Sequence, residues 1–204
     1  MAAPASSYLR VGRGRQPALI ESATAQLDVS RTRPRFSLYA LRCTKPLLVA
    51  VGLEKSFKGR ELPPSTTSLG DWYAKPLSVP GEHLILCTSE LSLLSVIVPA
   101  ADAARLPVNL MQGLSMLLRE FGVTPSRIER ETDEMLALHL APTASRSVLA
   151  HMNDFAYHVD AYFDRTKGRV FLGRVAEELA DLPIGTRGFA QPRELALKLL
   201  AAAG

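Results

Sequence analysis

The chain has 204 residues, of which 47% are hydrophobic and 22% charged, and its mean hydropathy is +0.08. This length allows one well-buried core, and the composition excludes a disordered or fibrous protein. The net charge of +4 comes from residues 1–37, which contain six arginines and only two acidic residues, Glu21 and Asp28. Residues 38–204 contain 18 basic and 18 acidic residues. We predict a basic, unstructured leader over 1–37 and a single neutral domain over 38–204.

This charge distribution restricts the partners. A folded domain that binds several phosphates usually carries a basic surface patch, so nucleic-acid binding is expected only through residues 1–37. A partner-binding tail and a transit peptide are alternative interpretations of that leader. The sequence shows no apolar run of the ~20 residues that cross a bilayer, and Cys43 and Cys87 lack metal-ligand spacing. We expect a cytoplasmic protein without membrane contact, cofactor or metal.

The first half of the domain predicts mainly strands. A strand is expected over 36–42, followed by a short helix over 45–52 that the Thr44 hydroxyl caps and Gly52 ends. After a loop over 57–68, the alternation of residues predicts three further strands, over 72–79, 83–88 and 93–98. Pro76 lacks a backbone donor, so its strand should lie at a sheet edge or contain a bulge. The almost wholly apolar run 93–98 indicates a strand covered on both faces.

The second half predicts mainly helices. The leucine spacing indicates a helix over 107–121 that ends at Gly122, and an acidic turn is expected over 127–134. A strand over 135–140 then precedes a long helix capped by Ser145. We expect a strand over 170–172, a helix through residues 175–182, and a final helix from Pro192. This order indicates an α+β fold, with an antiparallel or mixed sheet of four to five strands and two long helices packed on it around one hydrophobic interior.

Three short motifs occur in order along this frame. They are Cys43-Thr44-Lys45, the run from Leu69 to Ala74 (LGDWYA), and Arg146-Ser147-Val148-Leu149 followed by Met152-Asn153-Asp154-Phe155. Together they resemble a bacterial family of domains of unknown function. The resemblance covers about residues 38–165, which leaves 166–204 as a C-terminal helical extension, and it implies a common fold unit without an assigned activity.

The long helix carries the least expected residues. Asn153 and Asp154 lie in its middle, although both side chains compete with helical backbone hydrogen bonds, and such a local exception can mark a site. At 100° per residue, His151, Asp154 and His158 share one strip with Ser147, and Arg146, Asn153, Tyr157 and Asp160 share another. His151 and His158 are about 10 Å apart along the axis, which is too far to ligate one metal ion.

Two positions outside this helix are also candidates. Asp71 and Trp72, at the junction of a loop and a strand, could bind a ligand, although a tryptophan there can equally anchor the core. Cys43, beside Lys45 at a helix start, could have a lowered pKa and be reactive, or could be a buried structural cysteine. These are hypotheses about single residues, and the sequence contains no nucleophile-elbow or phosphate-loop motif that would support them.

We therefore predict a non-enzymatic binding or regulatory domain. Its candidate functional surface consists of Asp71, Trp72, Arg146, Asn153, Asp154 and His158. One alternative is a hydrolase-like enzyme that uses Asp154, His158 and Asp71 as acid, base or metal-assisting groups. Another is nucleic-acid binding through the leader. The partner could be another protein or a second copy of the chain, against which the helix over 107–121 could pack.

Overall fold

A computed structural model of the chain describes residues 38–50, 62–166 and 170–203. Within these residues, five strands form one mixed sheet with the order β4-β3-β2-β1-β5. β3 pairs antiparallel with both β2 and β4, whereas β1 lies parallel to both β2 and β5. This confirms the predicted α+β class. The strands are β1 (Tyr39–Cys43), β2 (Trp72–Val79), β3 (Glu82–Ser89), β4 (Ser95–Pro99) and β5 (Leu138–Pro142).

Helices cover both faces of this sheet. The two longest helices, α2 and α4, pack on opposite faces of the sheet. The buried residues of α2 belong to one apolar cluster and those of α4 to the other. Short 3-10 helices occupy Ala100–Arg105 and Gly185–Arg187. The described α-helices are α1 (Lys45–Ala50), α2 (Leu106–Glu120), α3 (Pro125–Glu134), α4 (Arg146–Thr166), α5 (Leu172–Ala180) and α6 (Pro192–Ala202).

The apolar residues divide between the two faces because side chains alternate along a strand. On the first face, Leu41 and Trp72 pack in the cluster of α2. On the second face, Tyr73 and Leu86 pack in the cluster that contains Met152 of α4. The interior that we expected to be single therefore consists of two apolar layers that share one sheet.

Pro76 lies on β2, which is an inner strand of the sheet. At Pro76, however, β2 has no neighbouring strand on the β1 side among the described residues, because the pairing with β1 ends at Ala74. The Thr44 amide donates to the Ala74 carbonyl at 3.0 Å, so the polar groups of Ala74 point towards β1. Backbone groups two residues apart point to the same side, and β1 has ended at Cys43, the partner of Ala74. The donor that Pro76 lacks would therefore point beyond the end of β1, as a strand proline requires.

The two long helices and the apolar strand agree with prediction. α2 is followed by Gly122, whose φ of 75° is the left-handed conformation that glycine adopts readily. The Ser145 hydroxyl accepts a hydrogen bond from the Val148 amide at 3.3 Å and so caps α4. Both faces of β4 are buried from Ser95 to Val98, although β4 is the outer strand of the sheet.

The predicted acidic turn over 127–134 is wrong, because this segment is helix α3. Its Ile128 packs in the core, and the side chain of Glu131 is buried, with 1% of the residue exposed. Glu131 accepts hydrogen bonds from the amides of Ser68 and Leu69 at 2.8 and 3.0 Å, so one carboxylate of the expected acidic turn has partners inside the protein. The helix ends at Glu134, so the next strand begins at Leu138 rather than at residue 135.

Two further details differ from the predictions, and a third agrees with them. The Thr44 hydroxyl is buried without a hydrogen-bond partner in the described structure, so it does not cap α1. The expected strand over 170–172 does not form, because Leu172 already starts α5. The final helix starts at Pro192 as predicted and buries Ala196 and Leu200, with Leu199 packed against the same core cluster.

Some predictions fall outside the described residues. These are the leader over 1–37, the role of Gly52, and the part of the loop over 57–61. They stay predictions, as does the domain boundary after residue 37.

Candidate functional site

Asp71, one of the candidate residues, forms an ion pair with Arg42. Asp71 precedes β2, and its Oδ2 accepts a hydrogen bond from Nε of Arg42 at 2.8 Å. Its Oδ1 accepts a second from the Ala40 amide at 3.0 Å. The side chain of Asp71 is 9% exposed and that of Arg42 is 20% exposed. Since Leu41 and Cys43 face α2, strand alternation places Arg42 on the face that carries α4.

The hydroxyl of Tyr73 connects this pair to the start of α4. It donates a hydrogen bond to Oε1 of Glu90 at 3.2 Å and accepts one from the Ser145 amide at 3.2 Å. The Glu90 amide in turn donates to the Asp71 carbonyl at 2.8 Å. We call the group formed by Arg42, Asp71, Tyr73, Glu90 and Ser145 the Arg42 site.

Tyr73 is a hydrogen-bonding group and not a base at neutral pH. Burial raises the pKa of Tyr73 to about 12, and the negative charge of Glu90 adds to this rise while Arg42 opposes it. The phenol therefore stays protonated, so it can both donate and accept. Its role in the Arg42 site is to join three elements.

Two more cationic residues lie beside the site. Lys75 follows Tyr73 by two positions and so lies on the same face of β2, and its ammonium donates to Oδ1 of Asn153. Arg146 is exposed and directly follows Ser145. This face of the sheet therefore carries Arg42 and Lys75, and Arg146 begins α4 next to Ser145 of the Arg42 site, which also contains two carboxylates.

This arrangement can bind an anion. The ion pair uses only Nε of Arg42, and the described residues offer its two terminal nitrogens no hydrogen-bond acceptor. A planar guanidinium that is held at one edge presents the other donors in a fixed orientation, which suits a carboxylate or a phosphate. Asp71 thus orients Arg42 as well as neutralising it.

The structure brings together only part of the predicted functional surface. Asn153 contacts Lys75, and Arg146 directly follows Ser145, whose amide contacts the Tyr73 hydroxyl. Asp71, two residues before Tyr73, holds Arg42. Trp72 is fully buried on the opposite face of the sheet, where it anchors the core. Its indole nitrogen has no partner in the described structure.

Asp154 and His158 lie elsewhere on α4. His158 lines a small cleft with Glu178 and Leu182, on the side of α4 that faces α5. Asp154 shares the strip of His158 and of His151, whose Nε2 lies 2.9 Å from the Thr186 hydroxyl. The trio that a hydrolase would require, with Asp71 beside Asp154 and His158, is therefore not brought together.

The hypothesis of a reactive Cys43 is wrong. Cys43 and Cys87 are free and buried, and burial raises the pKa of the Cys43 thiol to about 12. The pKa of Cys87 is raised as well, first by burial and then by Cys43 nearby. A thiol with a raised pKa carries little thiolate at neutral pH, so neither residue is suited to nucleophilic chemistry.

In the described ranges, no group of three or more His, Cys, Asp or Glu side chains is placed to hold a metal ion. The same ranges contain no helix whose length and hydropathy would let it span a membrane.

Residues 40–195 match the model of one protein family, described as Domain of unknown function (DUF6933). The chain belongs to this family. The DUF6933 match begins within β1 and ends within α6, so it includes Arg42, the Tyr73 hydroxyl group and most of the helical segment that we had treated as an extension. No curated protein and no solved structure matches the chain.

The sequence reasoning missed four residues at the centre of this DUF6933 domain. They are Arg42, Tyr73, Lys75 and Glu90. Two of them had a readable signal, since Arg42 is the charged residue in an otherwise apolar strand and Tyr73 lies within the LGDWYA motif. Glu90 is a turn residue without any local pattern, so only the tertiary structure identifies it.

Proposed function

We propose that this DUF6933 domain is a non-enzymatic binding domain that takes an anionic group of a partner at the Arg42 site. The observation that carries the proposal is the 2.8 Å contact between Oδ2 of Asp71 and Nε of Arg42. It fixes the guanidinium by one edge, which lowers the entropy lost when a carboxylate or phosphate binds the other edge.

The surroundings support an anionic ligand. Lys75 and Arg146 lie near the same half of α4, and cations close to a partly buried arginine strengthen its attraction for an anion. Arg42 is also partly exposed, so a ligand group can reach it. A protein segment that carries Asp, Glu or a phosphorylated side chain would supply the required chemistry.

The ionisable groups of the site favour binding over catalysis. Asp71 is neutralised by Arg42, and the phenol of Tyr73 stays protonated because its pKa is raised to about 12. A general base requires a pKa near the working pH, and the phenol of Tyr73 does not meet this condition. Cys43 and Cys87 are free and buried, as is usual for proteins of a reducing compartment, so the proposal includes a cytoplasmic location. It also includes the bacterial origin that the family resemblance implies.

The test is a titration of the isotope-labelled full chain with inorganic phosphate and with acetate, followed by NMR. We expect saturable shifts of the Arg42 Nε–H signal and of the Ser145 and Arg146 amides. Arg42→Met should abolish them, and Arg42→Lys should weaken them because it retains the charge without the planar fork. Arg187→Met, which removes an exposed arginine of another loop, is the matched control and should bind as the unaltered chain does.

Circular dichroism of each variant checks that the fold is retained. Absence of saturable shifts in the unaltered chain would overturn the proposal. Shifts that persist unchanged in Arg42→Met would also overturn it, since the anion would then bind elsewhere.

A further inference from the structure

A second feature lies outside the Arg42 site: an exposed aromatic side chain on a strained backbone. Phe189 has a φ of 63° and follows Gly188, whose φ is 66°. In the described ranges Leu93 is the other non-glycine residue with a positive φ, and it is fully buried, so core packing offsets its strain. Phe189 is 75% exposed, so no comparable packing offsets the cost of about 1 kcal/mol or more.

The loop that carries Phe189 is held in one conformation. The Ile184 amide donates to the Ala190 carbonyl at 3.0 Å, and the Phe189 amide donates to the Ile184 carbonyl at 3.0 Å. Thr186 contacts Nε2 of His151, which ties the loop to α4. The exposed Arg187 lies two residues before Phe189. The loop therefore presents one phenyl ring and one guanidinium from a closed backbone, and we call it the knob.

A pocket on another part of the chain matches this knob in size. It lies between α2, α5 and β4 and has a volume of about 260 Å³. A dry apolar cavity of about 150 Å³ already accommodates a benzene ring, so the pocket has room for the phenyl group. Its apolar lining includes Val96, Ile97, Met116, Leu117, Leu172 and Ala176.

The pocket also matches the knob in charge. Glu120 and Glu177 belong to its lining, and Glu177 accepts a hydrogen bond from Arg174 at 2.8 Å. The exposed Glu120 carries no ion pair in the described structure. A phenyl ring that enters the pocket would bring Arg187 towards these carboxylates, so apolar and charged groups would both find partners.

We infer that the knob of one copy of this chain inserts into the pocket of a second copy. Phe189 fills the space beside Met116, whose flexible thioether adapts to an aromatic ring, and Arg187 pairs with Glu120. The contact joins two different surfaces of the chain, so it forms either reciprocally in a twofold dimer or head to tail. This surface is separate from the Arg42 site, so the inference does not rest on the proposed function.

Sedimentation velocity of the full chain tests this inference. The concentration series should reach about 100 μM, because a contact that depends on one anchor residue is weak. Phe189→Asn removes the ring and retains a residue that tolerates a positive φ. Gly173→Leu fills the pocket, since a Cβ at Gly173 meets no atom within 4 Å. We expect each variant to raise the dissociation constant of self-association at least tenfold. Tyr157→Ala, which removes another exposed aromatic ring, is the control and should change it little.

Mixing the two variants is the decisive experiment. Phe189→Asn retains the pocket and Gly173→Leu retains the knob, so the mixture should form a one-to-one complex at concentrations where each variant alone is monomeric. Thermal unfolding of each variant separates loss of association from loss of fold. A chain that stays monomeric over the whole concentration range, or a mixture that fails to associate, overturns the inference.

Discussion

The carboxylate of Glu131 accepts a hydrogen bond from the amide of Leu69, 62 positions earlier in the chain, at 3.0 Å. Its other oxygen accepts from the Ser68 amide at 2.8 Å. Helix α3 thereby holds the segment that leads into Asp71, so a residue in the apolar face of one helix supports the position of the Arg42 site.

Replacing Glu131 by Ala should reduce the free energy of unfolding by about 2–4 kcal/mol, because two buried amides lose their acceptors and a cavity remains. Urea unfolding at neutral pH measures this difference. Glu129→Ala, on the exposed side of the same helix, is the matched control and should change stability by less than about 0.5 kcal/mol. Equal effects of the two substitutions would contradict the structural role of Glu131.

The contribution of Glu131 to the stability of the protein should fall as the pH rises through the folded-state pKa of this group. Burial raises this pKa in the folded state above the ordinary value of 4.5, although the amides of Ser68 and Leu69 oppose the rise. The folded state therefore binds the proton more tightly than the unfolded state, and the stability from this group is full below pH 4.5 and is lost above it. The measurement is the difference in unfolding free energy between the unaltered chain and Glu131→Gln, determined from below pH 4.5 up to neutral pH. A difference that does not change with pH would refute the expectation.

Asp71→Ala should destabilise the fold by about 2 kcal/mol or more, because it leaves the Ala40 amide and a partly buried guanidinium without their acceptor. The matched control is Asp181→Ala. It breaks the more exposed pair with Arg193, whose side chains are 35% and 47% exposed, and should cost less than about 1 kcal/mol. Chemical denaturation of both variants provides the comparison, and a larger effect at Asp181 would contradict it.

Gly113→Ala should destabilise the protein by about 1–3 kcal/mol through overpacking. A Cβ at Gly113 would lie 2.5 Å from Cγ1 of Val96, on the strand against which α2 packs. The double variant Gly113→Ala with Val96→Ala should recover part of the loss. Gly173→Ala, in a helix where the added Cβ meets nothing within 4 Å, should instead stabilise by about 0.5–1 kcal/mol, as thermal unfolding can determine.

Cys43 and Cys87 should resist alkylation by iodoacetamide in the native state at neutral pH, because both thiols are buried and burial raises their pKa values. Both should react after unfolding in urea. Mass spectrometry of the labelled protein measures the extent of reaction. Rapid native labelling of Cys43 would restore the hypothesis of a reactive thiol.

The sequence by itself determined the elements whose pattern is local. The leucine spacing of α2 with its terminal Gly122, the Ser145 cap of α4, and the alternating residues of the strands over 72–79 and 83–88 all follow from interactions within a few residues. These patterns also determined the α+β class, but they did not decide between an antiparallel and a mixed sheet. The buried face of α4 was predictable for the same reason, since a long amphipathic helix has one apolar stripe.

Tertiary structure decided what depends on distant partners. α3 looked like a solvated turn because its charged residues outnumber its apolar ones, and only the amides of Ser68 and Leu69 explain why Glu131 is buried. Asp71 and Trp72 are sequence neighbours that diverge to opposite faces of the sheet, whereas Asp71 meets Arg42 and Glu90, which lie on other strands and turns. Strand pairing sets these encounters, and pairing is a property of the whole sheet that no short stretch of sequence contains.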